Sequence, residues 1–321
     1  MRSSQPKKHH YVPQFILNNF SLGENKRIYV FDKKVVKIFP SHVRDTGHEN
    51  NFYKEESVKY DIDTESKLAE LESTSAPVIR KIIKNESVDN LSASEFNILC
   101  LFSAVQLSRT NNSREMFTSI NNKISEWLKK SGINSDQIEG FTEQSKEEIK
   151  ESAIHYLRTT PGDYVKHFYD KELTLLKTPK GETFYISDHP VTIYNHFPRE
   201  HRGNLGIALK GIEIYFPISS KLSLSFLCAD TINKTRKAVL AQKVSQALGG
   251  GFPIEMSEPE KFLYNIDNKI TRVLKEENVI FQNSLQISQS SRFIYSSNKK
   301  FDLAKDMLKT NPELSMPHNF Q

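Results

Sequence analysis

The stretch HHYVPQFILNNF, residues 9–20, is the segment around which the chain is organised. An N-terminal segment usually frays unless contacts hold it down. This one carries two histidines, a tyrosine, a proline and two phenylalanines. Pro13 pushes the preceding residue toward extended geometry and suits the first turn of a helix, so the sequence predicts a short helix from Gln14 to Phe20. We therefore expect this segment to be anchored and to help build a buried polar site.

Beyond this stretch, the spacing of apolar and polar residues in the first half of the chain predicts mostly helices. Alternating apolar residues predict a β-hairpin around Lys33-Lys34. Ser92 and Glu95 form a capping-box pattern ahead of a segment that is apolar almost all round, which is typical of a buried helix. Pro77 and Pro161 each predict a kink or a break inside a helix. The predicted hairpin strands are 27–32 and 35–39, and the predicted helices are 64–84, 93–109, 113–130 and 147–169.

The second half changes to short strands separated by turn residues, with further helices. The pattern predicts an α+β fold, with a helical N-terminal half (residues 1–170) packed on a mainly antiparallel sheet from the C-terminal half (residues 171–321). A single intertwined domain is the alternative to two domains. The predicted strands are 173–177, 183–186, 191–194, 212–217, 222–228 and 292–296, and the predicted helices are 230–248, 258–273, 276–289 and 301–309.

Composition narrows the class of protein. The net charge of +5 and the pI near 8.9 permit contact with nucleic acid without requiring it. Short basic runs such as Lys33-Lys34 are expected to be solvated surface. Cys100 and Cys228 lie in apolar runs and are typical of buried thiols in a reducing compartment. Since no apolar run approaches the ~20 residues that span a bilayer, we predict a cytoplasmic protein without a membrane segment or signal peptide.

Two carboxylates on one helix are the strongest indication of a site. Glu65 and Glu72 are seven residues apart, on a helical stripe that is otherwise apolar. A carboxylate there must be paired, protonated or bound to a cation, because an isolated buried charge is too costly. Arg109 is the natural counter-charge, and Gln106 lies one turn before it. A purely structural ion pair between two helices is an equally weighted interpretation.

Two further residues complete the candidate site. Neighbouring histidines cannot both face one pocket, and we expect His10, next to Tyr11, to point inward and His9 to point away. A histidine that only pins the N-terminus is the simpler interpretation. Asp188 follows a predicted strand directly and is placed either for catalysis and metal binding or for an Asx-turn.

Several standard signatures are missing, among them CxxC, HExxH, a Walker glycine loop and a GxSxG elbow. Carboxylates and histidines without cysteine suit a hard cation, so Mg²⁺ or Mn²⁺ is the expected cofactor if there is one.

The chain resembles the domain of unknown function 4238 family, found mostly in bacteria. The opening stretch is similar to the family pattern HHYVPxxxLxxF, and the resemblance continues through ESKLAELES, QLSRT, YISDHPV, IYFPIS and SLQISQSSRFIYS. His189 replaces the asparagine expected after the aspartate. The resemblance implies a polar site but no reaction. The family's polar motif residues fall on His9, His10, Gln14, Glu65, Glu72, Gln106, Arg109 and Asp188.

Two functions are consistent with these residues. In the first, a metal-dependent phosphodiester hydrolase, such as a nuclease of a defence or toxin system, uses Glu65, Glu72 and Asp188 to hold the ion. His10 acts as base or ligand, and Arg109 stabilises the phosphate charge. In the second, a non-catalytic ligand-binding or sensing module, the same residues form a buried structural network.

Overall fold

Helices and mostly antiparallel strands are mixed along the whole chain, which confirms the α+β class. The computed structural model describes residues 8–23, 25–53, 64–133, 144–197, 205–249 and 255–316. The strands are β1 (Lys8–His10), β2 (Arg27–Asp32), β3 (Lys37–His42), β4 (His48–Asn50), β5 (Lys171–Lys177), β6 (Ile186–Ser187), β7 (Thr192–Asn195), β8 (Ile212–Pro217), β9 (Leu222–Cys228), β10 (Arg272–Val273) and β11 (Phe293–Ser296). The helices are α1 (Gln14–Asn18), α2 (Thr64–Asn85), α3 (Ala93–Ser108), α4 (Asn111–Lys130), α5 (Lys146–Tyr169), α6 (Ala229–Leu248), α7 (Glu258–Asp267), α8 (Glu276–Gln289) and α9 (Asp302–Thr310).

The described strands form three sheets. A five-stranded sheet has the order β10-β5-β9-β8-β7 and is antiparallel except for the β10–β5 pair. A four-stranded antiparallel sheet has the order β3-β2-β11-β6, so it joins the early hairpin to two strands from the second half. The third sheet is the pair β1–β4. Strands from the two halves of the chain are therefore interleaved.

Helices α3 and α5 pack against the five-stranded sheet through aromatic contacts. The rings of Phe102 and Phe216 are 5.9 Å apart, and those of Phe168 and Phe226 are 4.9 Å apart. The predicted capping box at the start of α3 is present, because Ser92 accepts from the Glu95 backbone and Glu95 accepts from the Ser92 backbone. None of the described helices is long and apolar enough to cross a lipid bilayer.

The N-terminal stretch is anchored, as its sequence predicts. The backbone N–H groups of Tyr11 and Val12 both donate to the carbonyl of Gly47. Gly47 has a φ of +66°, and a Cβ there would lie 3.0 Å from the Val12 Cβ, so the close approach requires glycine. Asn19 donates to the carbonyl of Ile218 and so ties the segment to the five-stranded sheet. The apolar side chains of the segment without exposed surface are Val12, Ile16, Leu17 and Phe20.

Some predicted boundaries are wrong, and neither proline breaks its helix. Of the kink or break predicted at Pro77 and Pro161, the break does not occur, because helices α2 and α5 run continuously through these residues. Each proline removes only a single backbone donor, and tertiary packing maintains the rest of the helix. The predicted strand 183–186 shortens to β6, because the Asn283 side chain bonds the backbone of Thr183 and Tyr185 there. The predicted helix 258–273 ends at Asp267, and β10 follows it.

Candidate functional site

Arg109 lies directly after α3, and its guanidinium is buried and fully engaged. Its Nη1 donates to Oε1 of Glu72 at 2.7 Å, its Nε donates to the Tyr53 hydroxyl at 3.2 Å, and its Nη2 donates to the backbone carbonyl of His10. Burial alone would lower the pKa of Arg109, but Tyr53 and Glu72 outweigh it and raise that pKa. The predicted pairing of Arg109 with Glu72 is therefore present, and it ties α3 to α2 and to β1.

Tyr53 is the neutral centre of this network. Its hydroxyl donates to the Arg109 carbonyl at 3.1 Å, and its backbone N–H donates to Nδ1 of His9 at 2.9 Å. Burial raises the pKa of Tyr53, Arg109 opposes that shift, and Glu65 and Glu72 add to it. Glu65, half-buried in the first turn of α2, therefore lies near enough to act on this tyrosine electrostatically.

The two histidines differ from the expected arrangement. His9 is the buried one, stacked on the Tyr53 ring, whereas the imidazole of His10 is half-buried. His10 Nε2 lies 3.2 Å from the Arg44 carbonyl, and its ring meets that of His48 edge-on. Burial, followed by the charge of His48, lowers the pKa of His10 to about 4. The contact of His10 with Arg109 is made by its main chain, so our prediction that the His10 side chain points inward was wrong.

Gln106 is completely buried and also binds the N-terminal stretch. Its Nε2 donates to the Tyr11 carbonyl at 2.7 Å, while its Oε1 has no hydrogen-bond partner. Gln106, Arg109 and Glu72 thus hold the backbone of residues 10–11 against two helices. This arrangement is what an anchor for a terminus needs.

Asp188 belongs to a different cluster. Its carboxylate accepts from the backbone N–H groups of Ser291, Arg292 and Phe293 at 2.7–2.8 Å. Burial raises the pKa of Asp188, against these donors and the positive charge of Lys33. Asp188 therefore fixes the loop between α8 and β11, and its three hydrogen bonds do not reach the Arg109 network.

Lys33 corrects the expectation that the Lys33-Lys34 run is solvated. Its side chain has no exposed surface, and its Nζ donates to the carbonyls of Ile287 and Ser290 at 2.9 and 2.7 Å. Burial lowers the pKa of Lys33 to about 8, and the charge of Asp188 partly offsets this. The buried lysine is the counter-charge of Asp188, and no local pattern in the sequence predicts it.

Among the described residues, the Arg109 network has no space for a phosphate, and neither cluster groups the ligands of a metal ion. The free space beside Arg109 and Tyr53 is about 10 Å³, room for about one water molecule but not for a phosphate group. Within the described ranges, no three His, Cys, Asp or Glu side chains are grouped so as to hold a metal ion. Gln106, Arg109 and Glu72 thus support the N-terminal stretch, Glu65 acts on Tyr53 through its charge, and the hydrogen bonds of Asp188 belong to a separate cluster.

A larger cavity lies next to this network, and sequence reasoning missed it. Its volume is about 280 Å³, just below the range of ~300–1,000 Å³ that is usual for ligand pockets. It lies between the start of α4, helix α5, strand β7 and the end of α8. Its lining residues are Leu107, Asn112, Ser113, Met116, Tyr156, Tyr164, His189, Ile193, Leu205, Ile207 and Gln289.

Polar groups around the cavity are held in defined positions. His189 Nδ1 lies 2.7 Å from the Thr110 hydroxyl. The Gln289 amide accepts from the Ile193 N–H and donates to the Ile193 carbonyl, at 3.1 and 2.8 Å. The hydroxyls of Tyr156 and Tyr164 are 2.7 Å apart. The wall is therefore a preorganised mixture of apolar and hydrogen-bonding groups.

One sequence signal could have located one wall of this cavity. Asn283, Gln286 and Gln289 recur every three residues on one face of α8, a pattern too polar for a simple core helix. All three amides bond the backbone of residues 183–193. The stripe thus predicts a helix whose side chains bond the N–H and C=O groups of a segment without regular secondary structure. It does not predict the cavity itself.

Fold and site together define a mixed α+β protein whose N-terminal segment is clamped by a buried arginine–glutamate pair beside a partly open cavity. The model of a protein family of unknown function, DUF4238, matches residues 8–300, and the chain belongs to that family. A comparison with curated proteins and a comparison with solved structures each found no match.

Proposed function

We propose that the protein is a non-catalytic ligand-binding or sensing module whose ligand occupies the cavity of about 280 Å³. The observation that carries this proposal is the contrast between the cavity and the charged network. The cavity has free volume and oriented polar groups, whereas the three guanidinium nitrogens of Arg109 are all bonded within the protein. A mostly apolar cleft or cavity with a few fixed polar groups is the usual form of a small-molecule site.

The metal-dependent phosphodiester hydrolase of a defence or toxin system ranks below this proposal. It requires Arg109 to face a phosphate and Asp188 to share an ion with Glu72. The guanidinium is instead buried against Glu72 and Tyr53, and Asp188 accepts three backbone N–H groups elsewhere. These contacts favour a structural role for both residues, and a nucleic-acid partner therefore has no specific support.

Filling the cavity tests the proposal. Neutral fluorinated aromatic fragments are screened against the wild-type protein by ¹⁹F NMR, and each hit is repeated with Met116→Phe, whose larger side chain occupies the cavity. Met307→Phe is the matched control, because Met307 lies in α9 away from the cavity lining. We expect hits that Met116→Phe loses and Met307→Phe keeps. Hits that bind all three proteins equally, or the absence of any hit, would refute a ligand site in this cavity.

A further inference from the structure

Arg272 lies on β10, at the edge of the five-stranded sheet, and its side chain is half-buried. It makes no hydrogen bond or ion pair with the residues that the structure describes. The other described arginines that are not exposed, Arg109, Arg114 and Arg158, each donate to a side chain or a carbonyl. A guanidinium that is partly withdrawn from water without an acceptor is costly. Arg272 is therefore the exception among these arginines.

The nitrogens of this guanidinium can be reached from solvent. The Nε of Arg114 is buried without a partner, whereas no nitrogen of Arg272 is in that state. The side chain is nevertheless held in place, because its Cζ lies 4.5 Å from the centroid of the Phe262 ring on α7. Such a cation–π contact positions the guanidinium but supplies no oxygen acceptor for its five N–H donors. The donors are thus available to a ligand that approaches from solvent.

Glu213, on β8, is the carboxylate that acts on Arg272, but it is bonded elsewhere. Its Oε2 accepts from the Tyr215 hydroxyl at 2.6 Å and lies 2.8 Å from Nε2 of His196. The hydrogen bond to Glu213 raises the pKa of His196, which favours a charged pair between these two side chains. Burial lowers the pKa of Arg272, and Tyr215 and Glu213 oppose this only in part. Glu213 is therefore not the missing partner of Arg272.

Two further acidic residues beside β10 also have basic partners. Glu172 belongs to β5, the strand that pairs with β10, and forms an ion pair with Lys269. Asp267 is the last residue of α7 and forms an ion pair with Arg236. Among the described groups at this edge of the sheet, the positive charge of Arg272 thus stays without a paired anion.

We infer that Arg272 binds an oxyanion, a carboxylate or a phosphate group, at this edge of the five-stranded sheet. The chemistry that both groups share is a pair of anionic oxygens that accept two parallel N–H bonds from one guanidinium. Arg272, Phe262 and Tyr215 are not among the residues that line the cavity of about 280 Å³. The oxyanion site is therefore separate from the cavity and goes beyond the proposed function.

Inorganic phosphate and acetate are the probes, because each carries one of the two oxyanions on a minimal body. Dissociation constants are measured by NMR titration of the full chain, at an ionic strength kept constant with sodium chloride. We expect saturable binding to the wild-type protein and an affinity about tenfold weaker for Arg272→Met, which loses the charge-assisted pair. Arg272→Lys keeps the charge without the paired donors and should weaken binding about threefold. This variant decides the test if Arg272→Met does not fold.

Arg80→Met is the matched control, since Arg80 is an exposed arginine of α2 that likewise has no bond to the described residues. It should bind both probes as the wild type does. Binding of phosphate alone assigns the site to phosphate groups, and binding of acetate alone assigns it to carboxylates. The inference is wrong if neither probe binds, or if the variants at Arg272 bind as tightly as the wild type. Neutral fragments test the cavity separately, so either result can fail without the other.

Discussion

The guanidinium of Arg109 uses each of its three nitrogens for a different partner, and Glu72 supplies the only formal negative charge among those three. Removing Glu72 leaves a buried cation with two neutral acceptors, and breaking a buried pair in this way is strongly destabilising. Because Glu72 is 26% exposed, water can compensate in part. We expect Glu72→Ala to lower the free energy of unfolding by about 2–3 kcal/mol, measured by urea denaturation.

The control for this prediction lies on the same helix. Glu70 pairs with Lys67 on the exposed side of α2, and exposed pairs contribute little. Glu70→Ala should change the free energy of unfolding by no more than about 0.5 kcal/mol. If Glu72→Ala were as harmless as Glu70→Ala, or stabilising, the clamp would not be structural, and an active site held under strain would become the better interpretation.

His10 gives the N-terminal anchor a pH dependence. Its pKa is lowered from 6.5 to about 4 in the folded protein, so between these values the unfolded chain binds more protons. The contribution of the neutral His10 imidazole to the stability of the folded protein is complete above about pH 6.5. It is lost as the pH falls toward 4. His48, whose pKa burial also lowers, faces it and acts in the same direction.

A His10→Gln variant isolates this contribution. Its free energy of unfolding should fall less between pH 6.5 and pH 4 than that of the wild type, by about 1–2 kcal/mol after solvent screening, as measured by urea denaturation at each pH. Comparison at pH 8, where the imidazole is neutral in both states, removes the packing effect of the substitution. Parallel pH profiles for the two proteins would show that protonation of His10 does not oppose folding.

At the scale of single elements, helix α8 connects the two larger sheets through its amide side chains. Gln286 donates to the Pro190 carbonyl at 2.9 Å and accepts from the Ser187 hydroxyl at 2.8 Å, both buried. Gln282, also buried on α8, has an Oε1 without a partner. Two glutamines of one helix thus differ in whether their amide is satisfied.

The substitution of each glutamine by leucine should therefore have opposite consequences. Gln286→Leu leaves the buried Pro190 carbonyl without its donor, while the Ser187 hydroxyl keeps the backbone of His189 as its partner, and we expect a loss of about 1–3 kcal/mol. Gln282→Leu removes an unsatisfied oxygen, and we expect no loss or a gain of about 1 kcal/mol. Thermal unfolding of the two variants, side by side, checks this. Equal destabilisation would mean that helix packing, and not amide satisfaction, decides the role of α8.

Elements with local signals could be predicted from the sequence, and those with distant partners could not. Strand β8 and strand β9 have the predicted bounds, and the capping box of Ser92 forms as expected, because alternation and capping involve near neighbours. The pairing of Arg109 with Glu72 was predicted because a carboxylate on an apolar stripe requires a partner. The burial of Lys33 was not, because its acceptors Ile287 and Ser290 lie 254 and 257 residues further along the chain.

The cavity could not be predicted from the sequence, for the same reason. Its wall combines the first turn of α4 with α5, β7 and α8, and no local pattern indicates which surfaces meet. Asn112 is an ordinary polar residue near a helix start when read in sequence, and only its burial distinguishes it. The charged network could therefore be predicted, because a buried carboxylate requires a partner wherever it lies. The cavity beside it could not be predicted.

The whole molecule is joined across its two halves, and this governs how it unfolds. The hairpin β2–β3 continues into β11 and β6, and Arg292 pairs with Asp32 at 2.6 Å across that sheet. Lys33 and Asp188 add a buried contact between the same halves. We propose that residues 1–170 and 171–321 cannot unfold independently, because either half would leave strands of a shared sheet unpaired.

Calorimetry should show one transition, with a calorimetric enthalpy equal to the van't Hoff enthalpy. Asp188→Asn, which weakens the junction, should lower the temperature of that single transition without splitting it, whereas two resolved transitions in the wild-type protein would show that the halves are separate domains.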